Sequence, residues 1–251
     1  MQSRALVLFL LAHFVQNVLH AQSQISTLHL RKDAWLAYSF PLVHSSNKQT
    51  AFAINSKLQS EILYNETVIT DSTKVFEASG YIGGADTNSQ SGHSMINYKV
   101  ELNNAAVVSF SFNIESTGAY SENYFRYFNF NNQTGELLSA KDLFTENGIT
   151  EIKKLLIHSR KILIGKWIRQ IREDGENKED SAWIDDTFRK CNENGEEDNF
   201  ILKPQHIVFA KEHCFPHMAR PYDTDLDISL SYQLVTRYLS EKGKRLLIQK
   251  K

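Results

Sequence analysis

Residues 96–135, INYKVELNNAAVVSFSFNIESTGAYSENYFRYFNFNNQTG, decide the fold. Ile96, Tyr98, Val100 and Leu102 alternate with mostly polar neighbours, and Asn103-Asn104 supply a turn. Val108, Phe110, Phe112 and Ile114 repeat the pattern around Ser109, Ser111 and Asn113. Beyond Ser116-Thr117-Gly118-Ala119 a third run, Tyr124 to Phe130, closes at Asn131-Asn132-Gln133-Thr134-Gly135. Strand side chains alternate between faces, so a period of two bounded by turn residues predicts a half-buried antiparallel meander. Residues 110–130 hold eight of the chain's 15 Phe and 10 Tyr, which places the seed of the core here.

Outward from this ribbon the pattern changes. Residues 24–43 read as an opening strand or strand pair, broken at Arg31-Lys32-Asp33 and resuming from Trp35 to Pro41. Ser45, Ser46 or Asn47 can cap a helix over about 49–64, where Ala51, Ile54, Leu58 and Ile62 recur every three or four residues. Residues 65–93 are irregular, with one strand at Val75-Phe76. C-terminal to the ribbon, Lys141-Asp142-Leu143-Phe144 turns into a long helix from about Thr150 to Ile171. Ile152, Leu155, Leu156, Leu163, Trp167 and Ile171 mark its buried side, with Lys153, Lys154, Arg160, Lys161 and Arg169 outward. A short helix over 182–190 follows, then a hairpin of 200–202 and 207–209, a strand at 226–230, and a helix capped by Ser229 or Ser231 and ended by Gly243. The expected class is therefore α+β: an antiparallel meander packed against a long amphipathic helix, plus a C-terminal hairpin and helix. Residues 22–251 are read as one domain, or as two interlocked halves, 22–114 and 115–251.

Composition bounds the function. The chain has 251 residues, is 41% hydrophobic and 23% charged, and carries a net charge of −1. It offers no basic field for nucleic acid. Arg4 precedes a mostly apolar stretch from Ala5 to Leu19, interrupted by His13, Gln16 and Asn17 and closed by Ala21. Residues 1–21 therefore read as a cleaved export signal rather than a span, and the mature chain as periplasmic or secreted. Cys191 and Cys214 are the only cysteines. In an oxidising compartment their simplest fate is a disulfide, and the alternative is a catalytic thiol beside His213 or His217.

Sites of chemistry are few. His206, His213 and His217 surround Cys214, but Pro216 keeps His213 and His217 off one regular helix turn, and no metal site is expected. Asp223, Asp225 and Asp227 begin like a calcium loop, yet Ile228 and Leu234 stand where Gly and Glu are needed. Gly80, Gly83 and Gly84 are followed by no Lys-Ser/Thr pair, and no Gly-x-Ser-x-Gly elbow occurs. No catalytic residue and no cofactor is assigned. The third strand carries the one anomaly: Tyr124, Phe128 and Phe130 fall on one face, Phe125 and Tyr127 on the other. Either both faces are covered, or an exposed aromatic face grips a partner or a glycan. In the second case Tyr98, Tyr120, Tyr124 and Tyr127 are the candidate binding residues. Asn65-Glu66-Thr67 and Asn132-Gln133-Thr134 fit the glycosylation pattern.

Thr117-Gly118-Ala119-Tyr120, Phe128-Asn129-Phe130-Asn131, Thr134-Gly135-Glu136 and Lys141-Asp142-Leu143-Phe144 together resemble the extracytoplasmic domain of the RsiV-type anti-sigma factors. Asn199-Phe200, Pro221-Tyr222 and Ile228-Ser229-Leu230 extend the likeness, which covers roughly 96–145 and 199–240. The family typically has Gly-Gly-Ala-His and Asn-Phe-Asp, so Tyr120 replaces an imidazole and Asn131 a carboxylate. The resemblance implies an α+β extracytoplasmic bacterial protein, with relatives that bind lysozyme or accompany peptidoglycan deacetylases. Neither sigma-factor signalling nor deacetylation carries over, because this sequence shows no segment for either. The expectation is an exported, non-enzymatic binding module of the bacterial envelope, for a lysozyme-like protein or cell-wall glycan. The alternatives are a hydrolase using an unidentified carboxylate pair and an accessory envelope protein without a soluble ligand.

Overall fold

Alternation over the central stretch produces three strands longer than the pattern requires: β3 (Gly92–Asn103), β4 (Val107–Thr117) and β5 (Glu122–Asn131). The computed structural model describes residues 22–31, 36–79, 82, 92–118, 121–173, 178–193 and 196–248. The leader (1–21), Trp35, Gly80, Gly83, Gly84 and Tyr120 lie outside these. The β3–β4 turn is fixed by Asn104, whose Oδ1 accepts from the Ala106 and Val107 amides, each at 2.8 Å. Two earlier strands, β1 (Gln24–Arg31) and β2 (Ala37–His44), pair antiparallel and complete a five-stranded sheet in the order β1-β2-β3-β4-β5. One junction departs from a pure meander. β2 meets β3 in parallel, at Ala37↔Met95 and Tyr38↔Ile96. Parallel neighbours need a crossover, and α1 (Lys48–Ile62) lies within it.

Asn47 caps α1, its side chain accepting from the Gln49 and Thr50 amides. Ile54, Leu58 and Ile62 of α1 are fully buried in one cluster with Tyr38, Phe40, Ile96, Phe110, Phe112, Ile114, Phe128 and Phe130. This helix fills the core of the sheet's own unit. Val75 and Phe76 join the cluster from a turn rather than a strand. The Asp71 side chain accepts from the Thr73 amide and hydroxyl and holds the backbone out of extended pairing.

The chain divides into two compact units, one ending at Leu138 and one beginning at Ser139. In the second, α2 (Ala140–Leu143), α3 (Glu146–Glu173) and α4 (Lys178–Cys191) precede a three-stranded antiparallel sheet. That sheet comprises β6 (Phe200–Leu202), β7 (His206–Phe209) and β8 (Ile228–Ser231), in that order. The long helix and the hairpin are as expected. Ile152, Leu156, Arg160, Ile164, Ile168 and Ile171 form the buried stripe of α3. Arg160 thus turns inward rather than outward, because it sits four residues from both Leu156 and Ile164.

The C-terminal helix is broken where continuity was expected. α5 (Tyr232–Val235), capped by Ser231, gives way to a 3-10 turn at Thr236–Tyr238. Ser240 then caps a new helix, α6 (Glu241–Leu247). Gly243 therefore does not end a helix. It lies inside α6, where an added Cβ would stand 2.0 Å from the Leu143 carbonyl oxygen. Only a residue without a side chain allows α6 to approach α2 so closely.

Candidate functional site

β5 is an edge strand, and its registry with β4 sorts its aromatic residues. Phe130 opposes Val108, Phe128 opposes Phe110, Arg126 opposes Phe112 and Tyr124 opposes Ile114, all on the core side. Tyr127 opposes Ser111 and Phe125 opposes Asn113 on the outward side. There the Phe125 and Tyr127 rings lie parallel, 4° apart, with centroids separated by 6.4 Å. Phe125 remains 57% exposed. The same face carries Asn97, Lys99 and Glu101 from β3 and Glu115 from β4. Lys99 Nζ lies 2.9 Å from Glu101 Oε2, and Ser111 Oγ donates to Glu101 Oε1 at 2.9 Å. The chemistry is thus two parallel rings beside amides, a hydroxyl and a neutralised ion pair.

Of the candidate tyrosines, the three described ones, Tyr98, Tyr124 and Tyr127, do not share one surface. Tyr98 is on the core side of β3, half-buried, with its ring 6.0 Å from Phe112 and its hydroxyl 2.6 Å from Thr27 Oγ1. Tyr124 is also on the core side, with the Arg126 guanidinium 5.6 Å over its ring and His93 at 6.5 Å. Tyr127 is on the opposite face. Phe125, which the alternation places beside Tyr127 but which a tyrosine-only set omits, completes the outward pair. Parity along β5 was the available signal.

Residues that carry the family resemblance have structural duties here. Asn131 Oδ1 accepts from the Gln133 and Thr134 amides and shapes the turn after β5. Gly135 takes φ +78° and packs against α1, where a Cβ would meet the Thr50 carbonyl oxygen at 2.8 Å. Asp142 Oδ2 accepts from the Ser139 amide and hydroxyl at the start of α2. Both glycosylation-type asparagines are buried, with Asn65 Nδ2 donating to the Val75 carbonyl and Asn132 Nδ2 to that of Asn104. Neither amide is presented for modification.

Cys191 and Cys214 are bonded, with Cα atoms 5.5 Å apart, and the bond ties the end of α4 to the loop before the 3-10 segment His217–Tyr222. Phe215 follows directly into a cluster with Ile164, Ile168, Ile184 and Phe188. The neighbouring acids serve backbone and histidine. Asp223 Oδ2 lies 2.9 Å from His213 Nδ1, and its Oδ1 accepts from the Cys214 amide. Asp225 accepts from the Asp227 amide, and Asp227 from that of Lys211. Burial raises the Asp227 pKa, with the Asp225 charge adding to it, against the Lys211 amide, Arg160 and Lys203. Among the described residues no group of three or more His, Cys, Asp or Glu side chains is placed to hold a metal ion.

No family model matches the sequence. No curated protein matches it either. Solved structures do. A DUF3298-family protein from Bacteroides fragilis superposes with a TM-score of 0.56 at 14% identity, covering 91% of this chain and 96% of that one. A DUF3298-family protein from Pseudomonas aeruginosa matches with a TM-score of 0.48 at 9% identity, over 88% and 93% of the two chains. At such identity the first of these establishes a shared fold.

Proposed function

We propose that this chain is an exported, non-enzymatic binding module of a bacterial envelope, with the outward face of β3, β4 and β5 as its contact surface. The observation that carries the reading is the Phe125–Tyr127 pair: two parallel rings on an edge strand, with Phe125 57% exposed. Contiguous exposed aromatic surface is costly in water and marks a place where something docks. The disulfide suits an oxidising compartment. No helix among the described residues is long and apolar enough to cross a membrane. The export-type leader and the RsiV-type motifs support the same assignment. A lysozyme-like protein and cell-wall glycan are the two ligands that the resemblance suggests.

Pull-down of the purified protein with insoluble peptidoglycan and with lysozymes tests the proposal. The expected result is retention by at least one, lost in the Phe125→Ala/Tyr127→Ala double variant. Retention by neither would remove the reading.

A further inference from the structure

The same face narrows the ligand. Phe125 and Tyr127 are its aromatic centre, while Asn97 and Asn123 are exposed around them. Asn113, directly opposite Phe125, is half-buried. Lys99 and Glu101 neutralise each other, and Glu115 adds a carboxylate at the far end of the face. A strongly charged partner of either sign would meet almost no complementary field. A protein partner would need an apolar core within roughly 800 Å² per side, whereas two rings ringed by amides offer far less. A sugar chain matches better. Pyranose rings present one face of C–H groups that lies flat on an aromatic ring, and a rim of hydroxyls or acetamido groups that pairs with asparagine amides.

We infer that this face binds an uncharged saccharide chain laid along β5 across Phe125 and Tyr127, with the exposed Asn97 and Asn123 amides reading the polar rim. This rests on the binding-module reading and names its ligand class. The test is calorimetric titration of the protein with the tetramer of N-acetylglucosamine, with cellotetraose and with a sulfated tetrasaccharide. Binding of a neutral tetramer is expected. It should be weakened about tenfold or more by Phe125→Ala and restored by Phe125→Trp, because central aromatic contacts dominate such sites. Phe52→Ala, which removes an exposed ring from α1, should leave it unchanged. Preference for the sulfated chain, or equal affinity in Phe125→Ala, would overturn the inference. If peptidoglycan retains the protein while neutral tetramers give no heat and Phe125→Ala is still retained, the saccharide platform falls and the binding module stands. If nothing is retained, both fall.

Discussion

Arg160 Nε donates a 3.1 Å hydrogen bond to the Leu226 carbonyl, from a side chain with 0% exposure in the middle of α3. The same guanidinium reaches the Ala210 carbonyl at 3.1 Å and that of Phe209 at 3.4 Å. One planar fork therefore closes carbonyls at the end of β7 and ahead of β8, a geometry that lysine cannot copy. Burial depresses its pKa, while the charges of Glu196 and Asp227 oppose that shift. Arg160→Met keeps much of the volume and removes the donors, leaving buried carbonyls unmatched. The expected loss is roughly 2–5 kcal/mol by urea unfolding. A loss under about 1 kcal/mol would mean that water replaces the fork.

The disulfide should be a substantial stabiliser. Cys191 and Cys214 are 23 positions apart, and the chain-entropy argument assigns such a loop about 3 kcal/mol. For a chain of this size, reduction should lower the Tm by roughly 6–12 °C. Thiol titration of the unreduced, unfolded protein should find no free cysteine, and two thiols would contradict the bond.

Parity along the meander predicts a sharp contrast in stability. Phe110 and Phe112 are both 0% exposed, and truncating either to Ala should cost about 3–5 kcal/mol. Phe125→Ala on the opposite face should cost under about 1 kcal/mol. Chemical denaturation of the three variants measures this directly. Similar losses for all three would mean that Phe125 is covered.

Close approach of α6 to α2 gives Gly243 its importance. Gly243→Ala would set a Cβ 2.0 Å from the Leu143 oxygen, which also accepts the Ser240 amide at 2.9 Å. The helix must move, at an expected cost of roughly 1–3 kcal/mol, although alanine is the better helix former. Thermal melting that shows stabilisation would refute the contact.

The legibility of these features follows their range in sequence. Strands β3 to β5 could be read from alternation because each side chain reports its face locally. The Asn47 cap and the stripe through Ile54, Leu58 and Ile62 were equally local. Residues whose roles depend on distant partners could not be read. Arg160 looked solvent-bound because charge outweighed its position in the i, i+4 row, and its carbonyl partners lie far along the chain. Gly243 looked like a helix end because the Leu143 carbonyl that demands it is remote. The parallel β2–β3 pairing was hidden too, since strand direction is set by the crossover rather than by the strand's own residues. At the candidate site, parity placed Phe125 and Tyr127 together, but the depth of Tyr98 and Tyr124 depended on which face α1 covers.

His93 provides a pH test of the first unit. Its ring is 3% exposed at the start of β3, with Nδ1 3.0 Å from Ser116 Oγ and the Tyr64 ring 5.7 Å away. Burial lowers its pKa below 6.5, against the opposing hydrogen bond of the Ile62 backbone. The unfolded chain therefore binds a proton at a pH where the folded chain does not. Stability from this group is complete above the unfolded value. It declines as pH falls through about 6.5 towards the folded value, by at most about 1.4 kcal/mol per pH unit. Urea unfolding at pH 7.5, 6.5 and 5.5 should show that decline, and His93→Gln should reduce its slope whatever its own stability. An unchanged slope in the variant would show that His93 can be protonated without disturbing the packing around it.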